Sequence, residues 1–295
     1  MAQAVHSPVM PQEVMRLLDP RPGATIVDAT VGAGGHSSVI ADAIGKKGRL
    51  IAIDRDPDVL EHAKRNLESA PCRVDVVRSN FRDLARILKE LNAAPVDGIL
   101  IDLGVSSLQI DDAKRGFSFQ KDGPLDMRMN PDEGQSAARI VSRLSEKMLS
   151  DILHEFGEER FARRIARAIV WARKKSSIDT TGRLAEIVRR AVPTRRSRIH
   201  PATRTFMALR IYVNRELESL ERVLEDIEQT MRPGGRLAVI AFHSLEDRIV
   251  KYALREKARD GAMKILTKKP ITASEKEVSE NPRSRSAKLR AAERA

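Results

Sequence analysis

The chain has 295 residues, a formal net charge of +12 and one cysteine, Cys72. This length is enough for a full α/β domain with an insertion. A single cysteine excludes an intrachain disulfide and suits a reducing cytosol. No apolar run reaches the roughly 18 residues that a membrane helix needs, and residues 1–11 lack a basic-then-apolar signal pattern. The sequence therefore predicts a cytoplasmic protein with no membrane partner.

The most informative segment runs from Ala24 to Asp56. An apolar run enters the glycine-rich turn 32–35, and a second apolar run, 50–53, ends on Asp54. Strand, glycine turn, helix, strand and terminal carboxylate form one βαβ unit, with the acid nineteen residues after Gly35, about where a ribose-binding carboxylate is expected. The pattern predicts a nucleotide-cofactor pocket, in which the glycines let the backbone approach the ligand and Asp54 accepts from the ribose hydroxyls.

The spacing within this segment also discriminates between cofactors. A dinucleotide fingerprint has a third glycine for close helix packing, and here that position is Ser37. Asp28, at the end of the first predicted strand, would repel a pyrophosphate but can accept from an ammonium group. S-adenosylmethionine has an ammonium, a sulfonium and a ribose but no phosphate. A glycine-rich turn alone is common to many βαβ units, but the two carboxylates favour the methyl donor over a dinucleotide.

Alternating apolar strands and amphipathic helices predict a doubly wound parallel α/β sheet. The predicted helices of this part are 58–67 and 84–91, and the strands are 74–77 and 98–102. Residues 111–129 look loop-like, and helical periodicity follows at 145–156, 159–174 and 181–191. A long helix, about 205–231, then leads through Pro233-Gly234-Gly235 to a buried strand, 236–242. In the tail, strands at 264–268 and 287–290 flank a polar loop, 272–280. The helical part is therefore an insertion after the fourth strand, on the edge of the sheet where ligands bind.

The positive charge is concentrated in one segment. Residues 139–215 contain 19 Lys/Arg and 7 Asp/Glu, a difference that equals the net charge of the whole chain. Such a concentration points to a polyanionic partner, most simply a nucleic acid. The alternative is a solvated helix face, since Arg160, Arg163, Arg164 and Arg167 recur at helical spacing.

Several side chains near the predicted pocket are candidates for chemistry. Asp102 ends the fourth strand, where a carboxylate can touch both cofactor and substrate. Phe81 follows the third strand and either packs on an adenine face or belongs to the core. The polar residues Gln109, His36 and Asn80 lie in the same loops, and each is equally able to cap a turn or a helix.

These segments together resemble the bacterial 16S rRNA cytosine-N4 methyltransferase family. Ten ordered blocks match and cover nearly the whole chain, which is far more specific than one glycine turn. The blocks are residues 6–9, 34–37, 52–56, 102–107, 115–119, 123–129, 157–160, 200–206, 242–248 and 281–286. The resemblance implies a Rossmann-like methyltransferase sheet with an inserted all-helical domain. It divides the chain into a first core part (1–110), a helical substrate-binding domain (111–203) and a second core part with a basic tail (204–295).

The resemblance also implies the reaction, which is S-adenosylmethionine-dependent methylation of N4 of a cytosine in the decoding region of 16S rRNA. The implied partner is this rRNA or the small ribosomal subunit. Whether the chain acts as a monomer or a homodimer is left open. By motif, the donor-binding residues would be Gly34, Gly35, His36, Asp54, Phe81, Asp102 and Gln109.

The chemistry requires a group that accepts the N–H of the cytosine amino nitrogen, because its lone pair is delocalised into the ring. Asp102 and Asp126 are the candidate acceptors, and Ser106 and His243 are candidates to orient the base or relay the proton. For Asp126, a loop cap or a pairing with Arg128 is an equally good interpretation. The reaction needs no metal.

Two other functions compete with this interpretation. A nicotinamide-dependent oxidoreductase shares the βαβ unit, but it does not explain Ser37, Asp28 or the basic insertion. A non-catalytic rRNA-binding assembly factor explains the charge but not the ordered acids of the pocket.

Overall fold

The computed structural model describes residues 8–193 and 200–295. Residues 6–7 of the first matching block, and Arg195 and Arg196 of the basic segment, lie outside the described residues. The chain forms two compact units, one of Met1–Gly104 with Leu217–Ala295 and the other of Val105–Glu216. Among the described residues, no helix has the length and apolar character needed to cross a membrane.

The strands and helices are numbered along the chain. The strands are β1 (Thr25–Asp28), β2 (Arg49–Asp54), β3 (Arg73–Arg78), β4 (Val96–Asp102), β5 (Met231–Ala241), β6 (Met263–Ile265), β7 (Ile271–Thr272) and β8 (Lys288–Arg294). The helices are α1 (Pro11–Leu18), α2 (Gly35–Ile44), α3 (Pro57–Asn66), α4 (Leu84–Glu90), α5 (Ser107–Asp111), α6 (Ala137–Arg143), α7 (Glu146–Glu155), α8 (Ala162–Arg173), α9 (Thr181–Ala191), α10 (Thr203–Asn214), α11 (Glu216–Glu225), α12 (Ser244–Arg259) and α13 (Glu275–Glu280).

The first unit is built on one mixed sheet with the order β3-β2-β1-β4-β5-β8-β6, and β7 also pairs with β8. The strands β1 to β5 pair in parallel, whereas β8 runs antiparallel to its neighbours. The predicted parallel α/β sheet is thus confirmed for five strands. The order reverses between β1 and β4, a switch point of the kind that forms a ligand crevice at the carboxyl ends of parallel strands.

Helices cover both faces of this sheet. Side chains of α1, α2 and α3 form one hydrophobic cluster with the strands, and those of α4, α11 and α12 form another. Because both faces are buried, the central strands read as continuous apolar runs rather than alternating ones. Leu100 and Ile101, neighbours on β4, are both fully buried, one in each cluster.

The prediction of one long helix at about 205–231 is wrong. This segment contains two helices, α10 and α11, because Arg215 between them adopts a left-handed φ of 51°. A 3-10 turn, Ile227–Thr230, follows, and β5 begins at Met231 rather than after Gly235. The sequence did not predict this break, because no glycine or proline stands at it.

The prediction of a polar loop at 272–280 is also wrong. This segment contains α13, which begins where the Ser274 hydroxyl accepts from the backbone N–H of Glu277 at 3.2 Å. The Glu277 carboxylate in turn accepts from the backbone N–H of Met10 at 2.7 Å. The tail therefore folds onto the start of the chain within the first unit.

The second unit is mainly helical and contains α5 to α10. Its core is formed by the inward faces of these helices, with Ile165, Ile169, Leu184, Val188 and Leu209 fully buried or nearly so. Outside its helices, Pro124 forms an isolated antiparallel bridge with Thr180.

Candidate cofactor and active site

The glycine turn is built at the end of β1. Gly32 and Gly34 have φ values of +54° and +89°, a left-handed conformation that residues with a side chain rarely adopt. The helix α2 begins at Gly35, so the first backbone N–H groups of that helix, including that of His36, have no acceptor within it. The turn therefore presents backbone donors at the carboxyl edge of the sheet, as the sequence predicts.

Asp54 links the end of β2 to this turn. One carboxylate oxygen accepts from the backbone N–H of Gly32 at 3.2 Å, and the other accepts from that of Asp56 at 3.0 Å. A carboxylate has about four lone-pair sites, which leaves acceptor capacity for a ligand hydroxyl. Burial raises the pKa of the Asp54 carboxyl to about 6, although the backbone N–H groups of Asp56, Gly32 and Arg55 favour its charged form.

Asp28 is hydrogen-bonded to residues near the glycine turn, and its contact with an ammonium group stays a prediction. It is 1% exposed, and its oxygens accept from the Ser37 hydroxyl at 2.7 Å and from the Thr30 N–H at 3.3 Å. Burial raises the pKa of this carboxyl despite these hydrogen bonds. Asp28 therefore fastens α2 to the end of β1, and Ser37, which stands where a dinucleotide fingerprint has glycine, is its partner.

Asp102 and His36 face each other beside the glycine turn. Asp102 ends β4, where its backbone N–H donates to the Thr30 hydroxyl at 2.6 Å. Its Oδ2 lies 3.6 Å from Nε2 of His36. Burial would lower the pKa of His36, but the adjacent Asp102 carboxylate outweighs it, and the pKa lies above its ordinary value. The pair thus favours an imidazolium beside a carboxylate.

Two polar atoms of this pair are left without a hydrogen bond. Asp102 Oδ1 and His36 Nε2 are both buried and have no hydrogen-bond partner among residues 8–193 and 200–295. Leaving a buried polar atom unsatisfied typically costs about 1–3 kcal/mol, so such atoms in a cleft point to a ligand. Asp102 Oδ1 can accept one further hydrogen bond at the edge of the sheet.

Phe81 and Asn80 follow β3. The Phe81 ring is partly buried and packs against the core cluster on the α4 side of the sheet. Asn80 caps the short 3-10 turn, since its side-chain oxygen accepts from the Arg82 N–H at 3.1 Å and its amide donates to Ser219 at 3.3 Å. The adenine contact of Phe81 stays a prediction, because core packing alone accounts for its present position.

His243 is the N-cap of α12. Its Nδ1 accepts from the backbone N–H of Glu246 at 3.4 Å, and the Glu246 carboxylate accepts from the N–H of His243 in return. Its Nε2 lies 3.1 Å from Oε1 of Glu246, which is itself buried. These contacts give His243 a structural role, and a proton relay through it stays a prediction.

Ser106 and Gln109, in the second unit, form a reciprocal capping box. The Ser106 hydroxyl accepts from the Gln109 N–H at 3.2 Å, and Gln109 Oε1 accepts from the Ser106 N–H at 2.9 Å. This arrangement starts α5 and orients the Gln109 side chain. The capping interpretation of Gln109 is confirmed, and its contact with the donor stays a prediction.

Asp126 is bound to Arg128. Its two carboxylate oxygens accept from Nε and Nη2 of Arg128, both at 2.8 Å. These contacts outweigh partial burial and lower the pKa of Asp126. The pairing expected as the alternative is confirmed, and both oxygens are already committed to a guanidinium.

Two structural residues, one in each unit, were not predicted from the sequence. Asn214 on α10 is 2% exposed and binds the segment after Asp126, accepting from Met129 N–H at 2.8 Å and donating to Met127 O at 2.7 Å. Thr30, which holds Asp102, was missed as well. The available signal for Asn214 was an amide within the apolar spacing of a helix, since buried amides need partners.

Comparison with known proteins identifies the family. The model of the MraW methylase family matches residues 3–295 of this chain. The chain belongs to this family. A "Ribosomal RNA small subunit methyltransferase H" from Acidobacterium capsulatum is 52% identical over 98% of both chains, and one from Syntrophotalea carbinolica is 51% identical over 98% of both. An rRNA methylase structure from Streptococcus thermophilus is 10% identical, covers 96% of this chain and 93% of that chain, and has a TM-score of 0.45.

The cofactor of this MraW-family methylase is S-adenosylmethionine, and the residues of the pocket fit it. A ribose requires acceptors for its two hydroxyls, and Asp54 offers free lone pairs at the end of β2. A cationic donor requires negative charge, and Asp102 has an unpaired buried oxygen. A pyrophosphate would meet the carboxylates of Asp54 and Asp102. The pocket therefore suits a cationic nucleoside better than a dinucleotide.

Proposed function

We propose that this MraW-family methylase transfers a methyl group to N4 of a cytosine in the decoding region of small-subunit rRNA. The observation that supports this reaction best is the buried Asp102 Oδ1, which lacks a hydrogen-bond partner among the described residues. The relatives named as small-subunit rRNA methyltransferases, about half identical to this chain, support the substrate class.

Asp102 is the proposed acceptor for the cytosine amino group. Its Oδ1 accepts one N–H, which localises the nitrogen lone pair and aims it at the reacting methyl group. As positive charge develops on N4, the carboxylate stabilises it and then takes the proton. Asp126 suits this task less well, because Arg128 already occupies both of its oxygens.

His36 is proposed to position Asp102. Its Nε2 lies 3.6 Å from Oδ2, close enough for a charged imidazole to attract the carboxylate. The bound donor supplies an electrophilic methyl group, and the residues of the chain supply orientation and charge. Positioning the reacting atoms about 3 Å apart provides much of the rate acceleration in such transfers.

The second unit is proposed to bind the RNA, as the predicted substrate-binding role of residues 111–203 requires. The basic excess of residues 139–215 supports this assignment. The RNA would present an unpaired cytosine, since the amino group of a paired base is not available for reaction.

The direct test is transfer of a labelled methyl group from S-adenosylmethionine to naked rRNA and to isolated small subunits. We expect label in the RNA of at least one of the two substrates, and none when the protein is omitted. RNA binding without any transfer would instead identify a non-catalytic assembly factor. A thermal shift with NADH but not with S-adenosylmethionine would point to an oxidoreductase.

A further inference from the structure

We propose that one exposed face of α8 is an RNA-contact surface, on which Trp171 stacks on an unpaired base while arginines bind the flanking phosphates. This inference rests on the proposed RNA substrate and adds to it a specific surface and a stacking residue. We call this surface the Arg/Trp face; it comprises Arg163, Arg164, Arg167, Trp171 and the C-cap residue Lys174.

Helical geometry places these five residues together. Their spacing of one, three, four and three residues confines them to an arc of about 100° on a helix with 3.6 residues per turn. All five are exposed. The opposite side of α8 is buried in the core of the second unit, through Ile165, Ala166, Ile169 and Ala172. The face extends over about 16 Å of helix axis, enough to meet several nucleotides.

The positive charge of this face is largely uncompensated. Residues 160–175 contain seven Lys/Arg and no Asp/Glu. Within the described parts of the chain, Arg163 and Arg164 form no ion pair, and Arg167 has one contact, 3.5 Å to Glu146. Arg173 lies off this face, where it donates to the carbonyls of Val141 and Leu144 at 2.7 Å each.

The arginines of α9 provide a contrast. Arg189 and Arg190 both bind Glu186, at 2.7 and 2.5 Å, and they lower the pKa of its carboxyl to about 2. On α9, therefore, an acid one turn away neutralises the basic residues within the helix itself. The absence of such an acid from residues 160–175 favours an external anion for α8.

The exposed indole of Trp171 supports the proposal independently of the positive charge. It is the only tryptophan of the chain, and 61% of it is exposed. The ammonium of Lys175 lies 3.8 Å from its ring centroid, so a cation already sits over the indole. An exposed indole beside unpaired arginines is suited to bind single-stranded RNA, because bases stack on aromatic rings while cationic side chains contact the phosphates of the backbone.

The indole itself provides the test, since its fluorescence reports on Trp171 alone. Naked small-subunit rRNA should quench this emission at saturation. Trp171→Ala should weaken binding of that rRNA by about 5- to 100-fold, as expected for the loss of one stacked base, and Trp171→Phe should restore most of it. Tyr252→Ala, which removes an aromatic side chain that is 58% exposed in the first unit, is the matched control and should leave RNA affinity unchanged.

Three results would overturn the inference. The first is unchanged Trp171 emission at saturating naked rRNA. The second is equal rRNA affinity of Trp171→Ala and the unmodified protein. The third is a loss of affinity for assembled subunits but not for naked rRNA, which would indicate a ribosomal protein as the partner. Unchanged thermal melting of Trp171→Ala shows that its fold is intact. If the unmodified protein methylates rRNA but Trp171 fails these tests, the proposed function stands and only the surface is wrong.

Discussion

At the scale of single residues, we expect Asp54 to make donor binding sensitive to mildly acidic pH. Burial raises the pKa of its carboxyl to about 6. The carboxylate that we propose accepts the ribose hydroxyls is present above this value and is lost as the pH falls through it. We expect the affinity for S-adenosylmethionine to fall by about tenfold between pH 8 and pH 5. Calorimetry across this range checks it, and a flat profile in the unmodified protein would contradict it.

Removing the Asp54 side chain should weaken donor binding most at pH 8, where the carboxyl is charged. Losing hydrogen bonds to a charged group costs about 1.5–3 kcal/mol, which is about ten- to a hundredfold in affinity. Calorimetric titration of Asp54→Ala measures this loss, and thermal melting verifies its fold. A folded Asp54→Ala that binds the donor as tightly as the unmodified protein would refute the ribose role.

Asp102→Asn should damage turnover more than RNA binding. An amide still accepts a hydrogen bond, but it does not offset the positive charge that develops on the nitrogen, and such electrostatic contacts are worth about 10²–10³ in rate. Single-turnover rates with saturating donor separate this effect from weak donor binding.

Asp126→Asn is the comparison for Asp102→Asn. It removes one partner of the Asp126 and Arg128 pair, so its expected effect is lower stability with a near-normal rate in the protein that remains folded. If Asp102→Asn retains the unmodified rate while Asp126→Asn is inactive, the acceptor role passes to Asp126.

At this scale the sequence predicted positions better than contacts. Strand ends and the glycine turn placed Asp54 and Asp102 correctly on their elements, because those signals are local. The partners were less accessible. Asp28 accepts from Ser37 on α2, a partner that the sequence did not indicate. Asp126 binds Arg128, which the sequence offered only as one of two interpretations, because a motif does not show which short-range hydrogen bonds form.

At the scale of elements, the salt dependence of RNA binding tests the charge of α8. Changing Arg163 and Arg164 together to Ala should flatten the slope of log affinity against log salt by about 1.4 to 1.8 units, since each phosphate contact contributes about 0.7 to 0.9. Changing Arg189 and Arg190 together to Ala removes the same charge, but those arginines are already paired with Glu186. Equal effects from the two double variants would show that α8 has no special part in binding.

Asn214 should stabilise the segment that follows Asp126. Asn214→Ala leaves Met127 O and Met129 N without their buried partner, and we expect the free energy of unfolding to fall by about 2–4 kcal/mol. Thr205→Val is the matched control on the same helix, because the Thr205 hydroxyl is buried without a hydrogen bond in the described structure. Denaturant unfolding should show no loss for Thr205→Val, and an equal loss in both variants would contradict the role of Asn214.

Boundaries of elements were predictable where capping or glycine signals mark them. The predicted helix 181–191 agrees with α9, whose N-cap Thr180 accepts from the Arg183 N–H at 3.3 Å. The break at Arg215 was not predictable, because apolar spacing continues through it and only the backbone conformation changes. The antiparallel pairing of β8 with β5 was missed for another reason, since it joins residues about fifty positions apart in sequence.

At the scale of the whole molecule, the sequence predicted the α/β class and the membership in the methylase family. The repeated strand and helix pattern determines the parallel part of the sheet, because crossover helices and buried strands have distinct periodicities. The ordered motif blocks identified the family, since ten short matches in one order do not arise from a shared fold alone. Neither signal specifies the atom that is methylated, which depends on the geometry of a bound base.

The central claim is methylation of cytosine N4, and nucleoside analysis tests it most directly. Small-subunit rRNA that lacks the modification is incubated with the protein and S-adenosylmethionine, digested to nucleosides and separated with mass detection. We predict that N4-methylcytidine appears with the unmodified protein and is reduced about 10²- to 10³-fold in initial rate with Asp102→Asn. A methyl group found on carbon 5 of the base, on a ribose 2′-oxygen or on no nucleoside at all would contradict the account.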